Sequence, residues 1–273
     1  MKRKQNSNIG KAVFGGLLTA ALALSACGGG GNPGSGSQPI DGMSPVSPVQ
    51  TAPGGLYVGY FQEDPVANPE DPEAGAFVLT LPEKDGSLSG SMNFSYKDCQ
   101  SFNVGDVTGK KSGLAVAGTW SGFIDNSAQS GSYSGIYRAS NANYSGGYSN
   151  FNGKQFKNIA GCLQHYLAAD GTWTAFAVEK NQPAGFALTV QGATVSWQAS
   201  ADTTALVYLI DSVIALSGNG NSVVLQTLRY NEGSSYSFAG AGLSKGREYI
   251  VVVALSNRSS VLTAFGSKRF IAS

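Results

Sequence analysis

Between residues 55 and 180 large rings and small residues alternate along the chain with a period of two. Gly55-Leu56-Tyr57-Val58-Gly59, Gly118-Thr119-Trp120-Ser121-Gly122 and Gly131-Ser132-Tyr133-Ser134-Gly135 repeat one pattern, a glycine, a ring two residues on and a second glycine two residues further. Looser copies are Gly90-Ser91-Met92-Asn93-Phe94, Gly147-Tyr148 and Gly171-Thr172-Trp173-Thr174-Ala175. Alternate residues of a strand face the same way, so each copy sets its ring and small residues on one face and mostly Ser and Thr on the other. Glycines beside rings permit the bends of a curved sheet. Turn signals separate the copies at Lys84-Asp85-Gly86, Asp125-Asn126-Ser127, Asn141-Ala142-Asn143 and Asn152-Gly153. The pattern predicts an antiparallel meander that closes, wholly or partly, into a small barrel. Trp120, Tyr133 and Trp173 are its expected core.

After residue 183 the pattern changes. Val195-Ser196-Trp197 reads as a strand with an inward tryptophan, and 205–210 as an apolar strand. Leu243-Ser244-Lys245-Gly246-Arg247-Glu248-Tyr249-Ile250-Val251-Val252-Val253 then resembles the Leu-x-x-Gly-x-x-Tyr-x-Val-x-Val stretch of fibronectin type III domains. The resemblance implies that Tyr249 bonds backbone near the preceding turn and that Trp197 packs between two sheets, with Leu243 in the same core. The first region is similar in architecture to avidin-type or lipocalin-type barrels. The expected fold is therefore all-β: a barrel-like or curved meander domain over 55–180, followed by an immunoglobulin-like, fibronectin type III-like β-sandwich over 183–273.

The first 26 residues read as an address. Lys2, Arg3, Lys4 and Lys11 precede an apolar run over 12–24, too short for a comfortable membrane span and suited to a signal peptide. Leu24-Ser25-Ala26-Cys27 resembles the lipobox of bacterial lipoproteins, which implies cleavage before Cys27 and S-diacylglyceryl and N-acyl groups on it. Gly28, where an aspartate would imply inner-membrane retention, points by the family analogy to the outer membrane. Residues 28–54 hold eight Gly, five Pro and four Ser. Together with Cys27 they form a lipidated tether with a span of roughly 25–30 Å.

Composition sharpens this picture. The 37 glycines among 273 residues are about twice the usual share, and charged residues, at 13%, about half of it. Removing the signal peptide takes four of 18 basic residues and none of 17 acids, leaving 14 − 17 = −3. A mildly acidic chain without clustered Lys or Arg gives no footprint for nucleic acid.

Three cysteines fall into two roles. Cys27 carries the lipid; Cys99 and Cys162 remain as an even pair in an oxidising compartment, which suggests a disulfide, with two free buried thiols as the alternative. A bridge closing about 60 residues is worth about 4 kcal/mol in the chain-entropy model. The single histidine, His165, has no Gly-x-Ser-x-Gly elbow to serve and no Cys-x-x-Cys beside it, so no catalytic or zinc site is assigned. Five carboxylates between Glu63 and Glu73 read as a solvated loop. Tyr137, Tyr144 and Tyr148 are the candidate binding residues, because rings stack on sugars and anchor interfaces; Tyr144, read as lying in a turn, is expected to be exposed.

These features favour a noncatalytic, lipid-anchored envelope protein of the outer membrane that binds a protein or glycan partner, with no cofactor besides its lipid. One alternative is a carrier holding a small apolar ligand in a cavity of several hundred Å³. The other is a cell-wall or polysaccharide hydrolase, which needs convergent carboxylates or a serine near His165.

Overall fold

In the computed structural model the described residues are 52–64, 74–95, 103–124, 127–151, 155–158, 164–167, 170–178, 186–198, 203–216, 224–231, 233–257 and 262–273. The chain divides into two units, Met1–Ser47 and Pro48–Ser273, and every described residue belongs to the second. Cys27, Cys99 and Cys162 lie outside the described residues.

Strands β1 (Gly55–Glu63), β2 (Ala74–Leu81), β3 (Gly86–Ser95), β4 (Asn103–Ser112), β5 (Ala115–Ile124), β6 (Ser127–Arg138) and β7 (Asn143–Asn150) follow one another as a meander. A two-stranded hairpin, β8 (Gln155–Asn158) and β9 (Gln164–Leu167), intervenes before β10 (Asp170–Ala177). Pairing of β10 with both β7 and β1 closes an eight-stranded antiparallel barrel of order β1-β10-β7-β6-β5-β4-β3-β2. The closed barrel has no free strand edge.

The interior follows one pairing rule. Phe77 stands opposite Gly59, Trp120 opposite Gly131, Tyr133 opposite Gly118, Trp173 opposite Gly146 and Tyr148 opposite Gly171. A Cβ on Gly59 would lie 2.1 Å from the Phe77 ring, and one on Gly131 2.4 Å from Trp120 Nε1. These five rings thus have a glycine directly across from them, whereas Tyr57 faces Leu79 and Ala177, and Tyr144 faces Ala175 and Tyr137. On the outside β4 to β7 present Thr108, Thr119, Ser132 and Ser149 as a row of directly paired residues, with Thr108 and Thr119 hydroxyls 3.4 Å apart and those of Ser132 and Ser149 2.9 Å apart. Rings inside and hydroxyls outside are the reverse of a lipid-facing barrel.

The remaining strands form a sandwich. One sheet has the order β11-β12-β15, from β11 (Leu188–Gln191), β12 (Thr194–Trp197) and β15 (Ser235–Ser237). The other has the order β14-β13-β16-β17, from β14 (Val224–Asn231), β13 (Thr204–Asp211), β16 (Glu248–Ser256) and β17 (Leu262–Ile271). Between the sheets lie Trp197, Val195, Val207, Leu209, Tyr249, Val251, Val253 and Phe238, with Leu243 half-buried against them. The Tyr249 hydroxyl accepts the Ser244 backbone N–H at 2.9 Å.

Both faces of the four-stranded sheet are covered. Leu206, Tyr208, Ile210, Ile250, Val252 and Ala254 point away from the sandwich core and pack on the barrel's outer face, against Leu56, Val58 and Tyr60 of β1 and Ala74, Ala76 and Val78 of β2. Phe176 and Phe265 stack across this seam with ring centroids 5.4 Å apart. Helix α1 (Ser212–Leu216) sits beside it, and the Thr80 hydroxyl donates to its Ala215 carbonyl at 3.1 Å. Asp211 accepts the N–H groups of Val213 and Ile214 at 3.0 and 3.1 Å and meets Arg247 Nε at 2.6 Å, which fixes the start of the helix. Barrel and sandwich are thus joined by a third apolar core.

Candidate functional site

Inside the barrel the rings are held by directed contacts. Trp120 Nε1–H donates to Ser149 O at 3.2 Å, and Trp173 Nε1–H to Ser134 O and Gly147 O at 3.1 and 3.2 Å. The Tyr133 hydroxyl donates to Thr108 O at 3.3 Å, and burial pushes its pKa up. Phe77 and Trp173 meet edge to face at 5.6 Å, as do Phe61 and Tyr148 at 5.8 Å. The space left among Phe61, Phe77, Leu79, Met92, Val107, Trp120, Tyr133, Tyr148 and Trp173 is about 40 Å³.

The three candidate binding tyrosines belong to this interior rather than to an outer patch. Tyr144 is fully buried, a correction to its expected exposure. The turn signal at Asn141-Ala142-Asn143 ends sooner than that reading assumed, for Ala142 takes a positive φ of 47° and Asn143 already pairs with Arg138. Tyr144 therefore starts the strand on its inward face, 5.3 Å from the Tyr57 ring and 5.2 Å from Tyr137. Tyr148 is buried two interior positions further along, and Tyr137 is half-buried. Burial, then the neighbouring tyrosines, raises the pKa of Tyr144; burial first, then Tyr137 and Glu83, raises that of Tyr57 to about 12. Trp120, Tyr133, Trp173, Trp197 and Tyr249 are all buried.

The two ends of the barrel differ. At one end the β2–β3, β4–β5 and β6–β7 turns cover only 82–85, 113–114 and 139–142. The chain enters there: Ala52, within the stretch read as tether, is buried against the interior and donates its N–H to Gly113 O at 3.4 Å, and Pro53 O accepts the Tyr57 hydroxyl at 3.0 Å. Lys111, on the inward face of β4, is buried as well, and its Nζ donates to Pro82 O at 2.8 Å and Glu83 O at 3.0 Å. Asp85 Oδ1 accepts the Gly113 N–H at 2.7 Å. The end is closed by its own turns and lead-in.

The opposite end carries the connections over 64–73, 96–102, 125–126 and 151–169. Cys99 and Cys162 fall in two of them, the acidic stretch in a third, and His165 lies in β9, where its backbone pairs with Lys157. Glu63 and Gln129, both buried, project from β1 and β6 at this end, and Phe151 is exposed. Sequence reasoning placed Glu63 in a solvated loop and gave Lys111 no role, yet both are buried. The period-two pattern did mark them, since each continues the inward series of its strand: Val107, Gly109, Lys111 and Tyr57, Gly59, Phe61, Glu63. Among the described residues no three His, Cys, Asp or Glu side chains converge as a metal site.

No protein-family model matches the chain, and no curated protein or solved structure matches it either.

Proposed function

We propose that this chain is a lipid-anchored, noncatalytic envelope protein that binds a protein or glycan partner through the end of its barrel carrying the long connections. The observation that carries this reading is the opposition of the two ends. The chain enters the barrel at the closed end, through Ala52 and Pro53, while the long connections leave from the other. The connections at that end are the longer ones, and they are set on a closed barrel framework. Binding loops on a rigid scaffold are a common arrangement.

The outer wall of β4 to β7 favours the same assignment. Among its described outward residues there is no Trp or Tyr, and its Arg138 is tied to Ser145 Oγ at 2.8 Å, whereas Trp, Tyr and Arg supply most interface energy. The carrier reading loses support, because a void of about 40 Å³ is far below the several hundred that a carried ligand fills. The sandwich's division into three and four strands, together with the Tyr249–Ser244 bond, favours the fibronectin type III resemblance. The sandwich then braces the barrel along β1 and β2. A Cys99–Cys162 bridge would join two connections that leave the same end.

Photocrosslinkers placed in the full-length protein on intact cells test this reading. Positions 64 and 151, at the long-connection end, should capture a discrete partner, while positions 85 and 141, at the closed end, should not. Capture confined to the closed end would overturn the assignment. Cys27→Ser should move the protein from the membrane to the aqueous fraction; unchanged membrane association would remove the anchor from the proposal.

A further inference from the structure

The void at the centre of the barrel is far too small for a large carried ligand. We infer that it is instead a preformed, dry site for one small, neutral, apolar molecule. On a measure in which a water takes about 10–15 Å³, its volume of about 40 Å³ holds roughly three water-sized groups. That suits xenon or an apolar molecule of about two to four heavy atoms, and excludes a lipid tail. The inference is independent of the anchored-binder reading.

The wall decides what can enter. The two indole N–H groups and the Tyr133 hydroxyl are committed to backbone carbonyls of Ser149, Ser134, Gly147 and Thr108. Even if the Tyr148 hydroxyl turned toward the void, a water there would have one partner where it needs two to four. Among the described wall residues an anion would find no donor beyond that one hydroxyl. A cation would gain about 0.5–2 kcal/mol from a ring face, against a desolvation penalty of several kcal/mol per ion. The described wall residues include no carboxylate to offset that penalty. An apolar molecule loses nothing on leaving water and meets ring faces, Leu79, Met92 and Val107.

The site does not close by collapse, because the rings that bound it are already seated on backbone. Phe77 rests over Gly59, Trp120 over Gly131, Trp173 over Gly135 and Tyr148 over Gly171. They cannot move outward without entering the barrel wall, and edge-to-face contacts hold Trp173 between Phe77 and Tyr133.

Xenon titration of the methyl-labelled full chain, read by methyl NMR, tests the inference. The methyl signals of Leu79, Met92 and Val107 should shift saturably, while those of Val251 and Val253 in the sandwich stay in place. Val107→Ile adds one methylene to the wall and should weaken xenon binding about tenfold or more. Should that variant disturb the barrel, Met92→Ala supplies the opposite arm: it should tighten xenon binding and admit benzene. Absence of a saturable shift, an equal response in both cores, failure of Met92→Ala to admit benzene, or displacement of xenon by tetramethylammonium would each overturn it.

Discussion

The barrel and the four-stranded sheet beside it solve the same problem with opposite side chains. In β5 and β6 the inward positions hold rings and glycines, with Val116 and Gln129 besides, and the residues between are mostly Ser and Thr turned to water. In β13 and β16 there is no alternation, because both faces are buried: one against the sandwich core, the other against the barrel. The interior of a closed barrel is narrow and curved, so most of its large rings sit where a neighbour gives up a side chain. A flat sheet between two layers has no such limit, and the β-branched and aliphatic residues that favour strands fill both sides. Glycine is therefore a structural partner of the rings in one region and nearly absent from the other. Strands β1 and β2 belong to both designs, with rings inside and Leu56, Val58, Ala76 and Val78 outside.

The sharpest way to break that comparison is a charge at the seam. Val252 lies at the middle of β16, opposite Tyr208 and fully buried toward the barrel. Val252→Asp should cost about 4 kcal/mol or more, since no cation stands among the apolar residues packed there. Thermal unfolding followed by near-ultraviolet circular dichroism should show barrel tryptophans and sandwich melting together at a lower temperature. Separate transitions, with the barrel unmoved, would mean that the seam does not couple them.

The ring-and-glycine rule gives the next largest effect. A Cβ at Gly131 would lie 1.8 Å from Ser149 O and 2.4 Å from Trp120 Nε1, in conflict with backbone as well as ring. Gly131→Ala should destabilise by about 3 kcal/mol, at the upper end of single substitutions, and chemical denaturation should show the midpoint fall.

How legible this was in the sequence depended on the same difference. The ring-and-glycine strands announced themselves by period two, and the barrel's inward Trp120, Tyr133 and Trp173 follow from it. Tyr144 did not, because it stands one residue past a turn signal and a local reading cannot place the end of the turn. The seam was visible only indirectly. Ala74-Gly75-Ala76-Phe77-Val78-Leu79 is apolar on both faces where β5 is not, a mark of double coverage. What covers it is set by packing between segments more than a hundred residues apart, which strand period cannot report. The long connections gave residue types, Cys99, Cys162, His165 and five carboxylates, but only the strand order assigns their connections to one end.

Alkaline pH probes the barrel alone. The buried Tyr57, with a pKa raised to about 12 against an ordinary 10, favours its neutral form in the folded chain. Its contribution is complete below pH 10 and is lost as pH rises toward 12; Tyr133 and Tyr144, also raised, deepen the loss. Tyrosinate absorbance should therefore rise for these groups only as the barrel unfolds. Reversible ionisation near pH 10 with the fold intact would contradict their burial. In the sandwich, Tyr249→Phe removes one bond and leaves the Ser244 N–H seeking water, for about 1–2 kcal/mol, and should lower stability without changing the barrel's alkaline midpoint.

The smallest effect is the control that gives the others meaning. Gly147 neighbours Gly146 on the same strand, but it points outward and is exposed. A Cβ there would come no nearer than 3.5 Å to any atom outside its chain neighbours, whereas one at Gly146 would stand 1.8 Å from Ser134 O. Gly147→Ala should therefore change stability by no more than about 0.5 kcal/mol, with a small gain from the lost freedom of the unfolded chain. Gly146→Ala should cost several times that. Denaturant midpoints for the two neighbours separate the causes: if glycine serves general strand flexibility, both substitutions shift the midpoint alike, and if it serves the space inside the barrel, only the inward one does.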